Sequence, residues 1–334
     1  MPRRLDNQVV VITGAASGIG RVTARMFAER GARVVVGARN IDALNDLVRE
    51  ITESGGLAFA AETDVTKRED VERLAQTAIN YFGRIDTWVN NAGVSVYAMF
   101  DKLSDEEIRR IIDVNFMGTV YGLQVALPLL RSNGGGTVIN IASVTGKRAI
   151  PLQSVYSASK YAVVGLSEAL RAELAYEEAE IHVCTVCPPS INTPFFDNAL
   201  TKEGYAPKPM FPVYEPEAVA EAIISCAENP QREVMVGAGG KMFSVMNTLA
   251  PGLTDLMMGK VAVTGQLSDR PEPEDSPNNL FEPTRDSRER GGWTLWGSRK
   301  QAGGEGGSLI ARHPVALSAA GVAALVIAAR LLFR

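Results

Sequence analysis

Tyr156 and Lys160, four positions apart, and Ser143, thirteen positions before the tyrosine, are the side chains of this 334-residue chain best suited to chemistry. The pair lies in Tyr156-Ser157-Ala158-Ser159-Lys160, within an Ala-rich apolar run from Val155 to Tyr176 that predicts a helix. Residues four apart on a helix share a face, one turn from each other. An unperturbed phenol ionises near pH 10 and is a poor acid at neutrality. A neighbouring ammonium favours the phenolate and lowers that value, so the pair reads as a general acid–base near pH 7. Chance also puts a Tyr and a Lys four apart on a surface helix, so the weight of the pair depends on the elements around it.

Those elements alternate. Gln8 to Thr13 is a β-branched run that reads as a buried strand, and Gly14-Ala15-Ala16-Ser17-Gly18-Ile19-Gly20 leads into a helical pattern from Arg21 to Arg30. A strand, a glycine-rich turn and a helix start make a dinucleotide site. The glycines admit phosphates, and the helix N-terminus offers free N–H groups. The spacing Gly-x3-Gly-x-Gly differs from the usual GxGxxG fingerprint. A second strand, Ala32 to Gly37, closes in Ala38-Arg39-Asn40, with no carboxylate to accept from a ribose hydroxyl. A guanidinium there suits a 2′-phosphate, so Arg39 favours NADP(H) over NAD(H); a solvated loop arginine is the other reading.

Helices over 41–53 and 67–82 and strands over 56–61 and 85–90 follow, the last running into Asn90-Asn91-Ala92-Gly93, whose small residues let a cofactor pass. Ser104 to Glu107 forms a capping box opening a helix that continues to Leu130, with Asn115 unfavourably in its interior. A fifth strand, Thr137 to Ala142, delivers Ser143 at its C-terminal end, the edge where open α/β sheets bind ligands. Phe195 to Tyr214 is long, irregular and aromatic, and reads as a lid over an apolar substrate or as a surface loop. A helix over 215–228 and a strand over 232–236 complete the alternation. The expected fold class is α/β: a Rossmann-type doubly wound parallel sheet of about seven strands with helices on both faces.

Composition narrows the function classes. A net charge of −4 spread along the chain argues against a nucleic-acid partner. Three cysteines and two histidines are too few for a disulfide scaffold or an obvious metal site. Cys184-x-x-Cys187 lies in a β-branched run, where residues three apart face opposite sides, so two buried strand cysteines are the better reading. Basic residues at the N-terminus precede no apolar segment, which predicts a cytosol-facing catalytic domain without a secretory signal.

Over residues 6–240 the chain resembles the short-chain dehydrogenases/reductases, in their compact single-domain branch. Thr13 to Gly20 is similar to the family's TGxxxGxG, Asn90 to Gly93 to its NNAG, and Asn115, Ser143, Tyr156 and Lys160 to its catalytic tetrad, in order and spacing. The resemblance implies an alcohol–carbonyl oxidoreductase. Tyr156 would protonate the developing alkoxide. Lys160 would bind the nicotinamide ribose and depress the Tyr156 pKa. Ser143 would donate to the substrate oxygen, and Asn115 would hold a water in a proton relay. Cofactor contacts would come from Gly14, Ser17, Gly18, Ile19, Gly20 and Arg39, from Asp64 and Val65 at the adenine, from Asn91, Ala92 and Gly93, and from Ile191 and Thr193 at the nicotinamide. A homodimer or homotetramer is implied. One departure is Pro188-Pro189, where the family usually has Pro-Gly; proline removes an N–H and fixes φ. A non-catalytic scaffold that keeps the pocket, or a sugar-nucleotide epimerase of the extended branch, are the alternatives. The tetrad is complete, against the first, and the extended branch needs a larger folded substrate domain whereas residues 266–307 look unstructured, against the second.

The catalytic domain is expected over residues 1–240. Residues 241–265 form an apolar helical extension that packs on the substrate mouth, on a second subunit or on lipid. Residues 266–307, rich in Pro, Gly and both charges, cannot fold alone and read as a disordered linker. Residues 308–334 read as an apolar helix and a candidate membrane anchor. Its uncharged run, 314–329, is sixteen residues, about 24 Å of helix against a hydrocarbon core of about 30 Å. Arg330 can snorkel and lengthen it; packing against protein is the alternative. Lid and anchor together suggest a small lipophilic carbonyl or alcohol substrate.

Overall fold

A computed structural model of the protein describes residues 4–237 and 258–299, with Gly252 and Asp255. Seven strands form one parallel sheet: β1 (Val9–Thr13), β2 (Arg33–Ala38), β3 (Leu57–Glu62), β4 (Thr87–Asn90), β6 (Gly136–Ile141), β7 (Ile181–Cys187) and β10 (Glu233–Met235). Their order is β10-β7-β6-β4-β1-β2-β3, so the chain winds outward from β1 in one direction and from β4 in the other. The crevice where the order reverses, at the C-terminal ends of β1 and β4, is the natural ligand position in such sheets.

Alternation along the central strands explains the two layers. Val10, Ile12, Val34 and Val36 face one side, against α1 (Gly18–Glu29), α2 (Ile41–Glu53) and α7 (Pro216–Glu228). Val9, Val11 and Val35 face the other, against α3 (Arg68–Phe82), α5 (Gly118–Ser132) and α6 (Ser154–Tyr176). Strands buried on both faces read as continuous apolar runs, as Val9 to Ile12 does.

The second layer is also keyed by polar groups. Trp88 donates from Nε1 to Asn90 (2.8 Å), Asn90 to Asn140 (2.9 Å), and Asn140 to the Ser167 hydroxyl (2.9 Å). This chain ties β4 and β6 to α6 with every member buried, so each hydrogen bond avoids an unpaired polar group in the interior. It fixes the rotation of the helix that carries Tyr156 and Lys160.

The capping box at Ser104 and Glu107 opens α4 (Asp105–Ile112), as the sequence suggests. The helix then widens by one π turn over Asp113–Met117 before α5 begins. Cys184 and Cys187 are buried in β7, and Cys226 of α7 hydrogen-bonds with Cys184.

The largest departure from expectation is the stretch from 267 to 299. It is ordered against the domain rather than a free linker. β11 (Leu267–Pro271) pairs antiparallel with β9 (Tyr205–Pro207), while Leu280 and Trp293 are buried. The composition argument excludes folding alone, but this segment is held by hydrogen-bonding groups of the catalytic domain. The lid stretch is likewise packed: β8 (Leu200–Thr201) pairs with β5 (Val96–Tyr97), and Val213 donates to the Leu295 carbonyl at 2.9 Å. Of the apolar extension, Ala262 is buried and Val263 packs against the cluster around Tyr97 and Phe196. The anchor expectation falls on 308–334, outside the described residues; among the described residues no helix is long and apolar enough to cross a membrane.

Candidate active site

Ser143 leaves the end of β6 and Tyr156 and Lys160 rise from the first turns of α6, so three of the four tetrad residues meet at the C-terminal edge of the sheet. The Ser143 hydroxyl is near enough to that of Tyr156 to draw the phenol pKa down. Ser143 also accepts from the Thr145 N–H (3.1 Å) and donates to the Pro188 carbonyl (3.4 Å), which fixes its rotamer. Pro188 therefore serves through its carbonyl, and the unusual Pro189 leaves that contact intact.

Lys160 is buried, and its Nζ donates to the Ile141 carbonyl at 2.8 Å, 5.7 Å from the centre of the Tyr156 ring. Burial lowers the Lys160 pKa to about 8. Burial pushes the Tyr156 phenol up to about 12, opposed by the Ser143 hydroxyl. Here the ammonium is committed to Ile141 beside the ring, and desolvation governs the hydroxyl. Tyr156 thus holds its proton firmly at neutral pH.

Asn115 sits in the π turn, and the turn explains it. Its Oδ1 accepts from the Val94 N–H (2.8 Å), and its Nδ2 donates to the Val94 carbonyl (3.0 Å) and to Ser159 Oγ (3.0 Å). A carboxamide fully buried inside a helix pins the loop after β4 to the helix of Tyr156. Asn115 and Lys160 both border Gly93, where an added Cβ would lie 3.4 Å from Oδ1 and 3.6 Å from Nζ.

The glycine turn has the shape its spacing implies. Gly14 and Gly18 have positive φ (68° and 54°), and a Cβ on Gly20 would meet the Gly14 carbonyl at 2.4 Å. Asn91 Nδ2 donates to the Thr13 (2.9 Å) and Gly14 (3.1 Å) carbonyls, binding the turn to the strand end that carries Ala92 and Gly93. Ser17 is the N-cap of α1 without capping through its side chain, and half-buried Ile19 follows in the first turn. Thr193 packs against Gly18, and Ile191 is buried beside it in sequence, bridged to Tyr214.

At the far end of the cleft, Arg39 and Asp64 are joined by Arg110, which the sequence alone did not bring forward. Arg110 bonds Asp64 Oδ2 at 3.1 Å and Thr66 Oγ1 at 3.0 Å. Burial pulls the Arg39 pKa down, and the Arg110 charge adds to that. The Asp64 pKa is lowered by hydrogen bonds from Thr66 and by Arg110, against burial. Forty-six positions separate Arg110 from Asp64, and no local pattern announces the pair. Two guanidiniums, Arg39 and Arg110, thus stand here among two carboxylates, Asp64 and Glu282, with Arg110 already paired to Asp64.

The residues fit a nicotinamide dinucleotide. The Gly18 N–H at the start of α1 takes an acceptor oxygen, here the Arg288 carbonyl at 3.0 Å. Val65 and Ala92 belong to one apolar cluster that takes a flat or branched apolar group, here Leu280. Arg39 reaches acceptor oxygens at 2.5 and 2.7 Å.

Comparison with known proteins agrees with this geometry. The family model for short chain dehydrogenase matches residues 8–204. The uncharacterized oxidoreductase YxnA of Bacillus subtilis is 42% identical over 298 residues, 87% of this chain and 83% of the relative. Cyclohexanol dehydrogenase of Acinetobacter sp. is 35% identical over 224 residues, 67% of this chain and 88% of that one. A crystal structure of a short chain dehydrogenase/reductase from Burkholderia phymatum in complex with NAD matches with a TM-score of 0.65. It shares 24% identity and covers 81% of this chain and all (100%) of the other.

Proposed function

The chain belongs to the short-chain dehydrogenase/reductase family and is an oxidoreductase acting on CH–OH groups, and from that premise we propose that it interconverts a lipophilic alcohol and its ketone or aldehyde with NADP(H). The observation that carries the reading is that Ser143, at the end of β6, and Tyr156, on α6, come together at the sheet edge, with the buried Lys160 Nζ 5.7 Å from the phenol ring. Two hydroxyls that converge can grip one carbonyl oxygen between them. Ser143 orients and polarises that oxygen, and Tyr156 gives it a proton as negative charge develops. The bound nicotinamide supplies or accepts the hydride. Lys160 keeps a positive charge beside the phenol below pH 8, and Asn115 holds the helix and the Gly93 loop together.

The NADP preference is supported by the Arg39 guanidinium at the end of β2, which bonds acceptor oxygens at 2.5 and 2.7 Å and from which a 2′-phosphate gains charge-assisted hydrogen bonds. The lipophilic substrate is supported by aromatic walls: the Phe195 ring lies 5.8 Å from Tyr156, and Phe196 stands edge-on to Trp293 at 6.1 Å. The Acinetobacter relative, a cyclohexanol dehydrogenase by name, points the same way. The test is a panel of cyclic, long-chain and sugar carbonyls with NADPH and with NADH. Turnover of apolar ketones that Tyr156→Phe abolishes, with dinucleotide binding retained, is the expected result. Turnover of small polar sugars alone refutes the substrate class, and an active Tyr156→Phe refutes the acid–base role. A homo-oligomer and a tether through residues 308–334 belong to the same reading. Light scattering and fractionation of chains with and without 308–334 check them.

A further inference from the structure

The segment from 279 to 293 follows the dinucleotide cleft from one end to the other. At the adenosine end, Arg39 donates to the carbonyls of Asn279 (2.5 Å) and Phe281 (2.7 Å), and Arg110 to that of Leu280 (2.9 Å). The Leu280 side chain is fully buried in the cluster of Val65, Ala92 and Val114. Beyond it, Asn40 donates to the Thr284 carbonyl at 2.8 Å. At the phosphate turn, the Gly18 N–H donates to the Arg288 carbonyl at 3.0 Å. At the nicotinamide end, the Trp293 N–H donates to Asn192 Oδ1 at 2.7 Å, and Gly291 lies so close to Thr193 that a Cβ would stand 2.3 Å from its carbonyl.

We propose that residues 279–293 are an internal peptide ligand of the dinucleotide cleft, which the cofactor must displace to bind. The proposal rests on the family reading of that cleft. Its force is in the order of the contacts. Carbonyl oxygens stand where phosphate oxygens are needed, and an apolar side chain stands between Val65 and Ala92. They run in the same sequence along the cleft as adenosine, pyrophosphate and nicotinamide. One N–H and one guanidinium cannot serve both occupants fully, so the two compete. The segment also continues into the substrate side: Trp296 stacks on Phe211 at 4.5 Å, and the Leu295 carbonyl receives the Val213 N–H. Displacement at the cofactor end therefore loosens the loop over the substrate, coupling cofactor arrival to substrate entry.

A competing segment lowers the apparent affinity of the cofactor by the fraction of molecules in which the cleft is open. Two variants of the full chain open it without touching the residues assigned to chemistry. Leu280→Asp removes the apolar plug. Gly291→Ala forces the segment off Thr193 at the opposite end, so a folding failure of one leaves the other. NADPH and NADH are titrated into each by cofactor fluorescence. Hydrogen exchange of 279–293 and emission of Trp293 and Trp296 are followed alongside, with core Trp88 as a constant background. The expected result is about tenfold tighter binding by either variant. In the wild type, dinucleotide should raise exchange in 279–293 and red-shift the emission. Equal affinity in all three proteins overturns the proposal, as does weaker binding by the variants with protection of 279–293, which would make the segment a clamp over bound cofactor. Absence of dinucleotide binding in all three overturns the cofactor reading itself, a result distinct from equal affinity.

Discussion

Replacing Lys160 by Met should stabilise the protein at neutral pH while removing its activity. Burial takes the lysine from 10.5 to about 8. At about 1.4 kcal/mol per unit, holding the charged form inside costs roughly 3 kcal/mol relative to a neutral side chain. Met matches the length and shape of the stem without the charge. It forfeits the bond from Nζ to the Ile141 carbonyl, about 1 kcal/mol. The net expectation is a variant more stable by about 2 kcal/mol at pH 7, read as a rise in the urea midpoint with an unchanged slope.

The pH dependence carries the sharper test. Below pH 8 the lysine is protonated in both folded and unfolded chains, and the wild type bears the full cost. Between about 8 and 10.5 the unfolded chain binds the proton and the folded one does not, so wild-type stability rises with pH through that window. The variant has no such group. Its advantage should shrink by about 2 kcal/mol between pH 7 and pH 9.5. A variant less stable than wild type at pH 7, or an advantage that does not change with pH, would refute the reasoning. Either would mean that the ammonium is paired in solution in a way that offsets its burial.

Other expectations follow from the same geometry. With the phenol near 12 and protonated, carbonyl reduction should be flat from pH 6 to 7.5, whereas alcohol oxidation, which needs the phenolate, should rise about tenfold per pH unit up to pH 9; an oxidation profile that levels off below pH 8 would show the phenol lowered in the loaded enzyme. Arg39→Ala should raise KM for NADPH about tenfold relative to KM for NADH, and an unchanged ratio of the two removes the phosphate contact, whatever the mutation does to both together. A Cβ at Gly122 would lie 2.0 Å from Asn90 Oδ1 and 2.8 Å from Trp88 Nε1. Gly122→Ala should therefore cost about 3 kcal/mol in urea unfolding, from overpacking and a broken buried network together; a loss below 1 kcal/mol would mean that the network can move aside.

The fold was legible because each element announced itself locally. Val9 to Ile12 is an unbroken apolar run, Ser104 and Glu107 spell a cap, and the Ala-rich helix after Ser154 has no competing pattern. Asn115 was legible as an anomaly, and the π turn with its three carboxamide bonds is the physical answer. What stayed hidden was pairing across distance. Arg110 meets Asp64, and Asn192 meets both Glu215 and Trp293, only once the chain has folded. The aim of Lys160 was hidden for a related reason: spacing brings it near Tyr156, but only coordinates reveal that its Nζ is directed at Ile141. The segment after 266 was misread because a stretch that cannot bury its own surface can still be ordered by a groove that needs acceptors.

That groove supplies the reason the order persists. A half-buried guanidinium such as that of Arg39, beside a second at Arg110, loses part of its hydration and takes oxygen atoms in exchange. A helix N-terminus such as that of α1 likewise presents N–H groups without internal partners. Carbonyls of the irregular segment 279–293 meet both demands, and anionic oxygens of a dinucleotide meet them more strongly because the bonds become charge-assisted. The donors that make the cleft a cofactor site are thus the same ones that make it attract its own chain. Their number limits how tightly either can be held while the other is present. Shortening the segment's reach should therefore move cofactor affinity without altering the Ser143–Tyr156 pair, because no bond of that pair is made to residues 279–293.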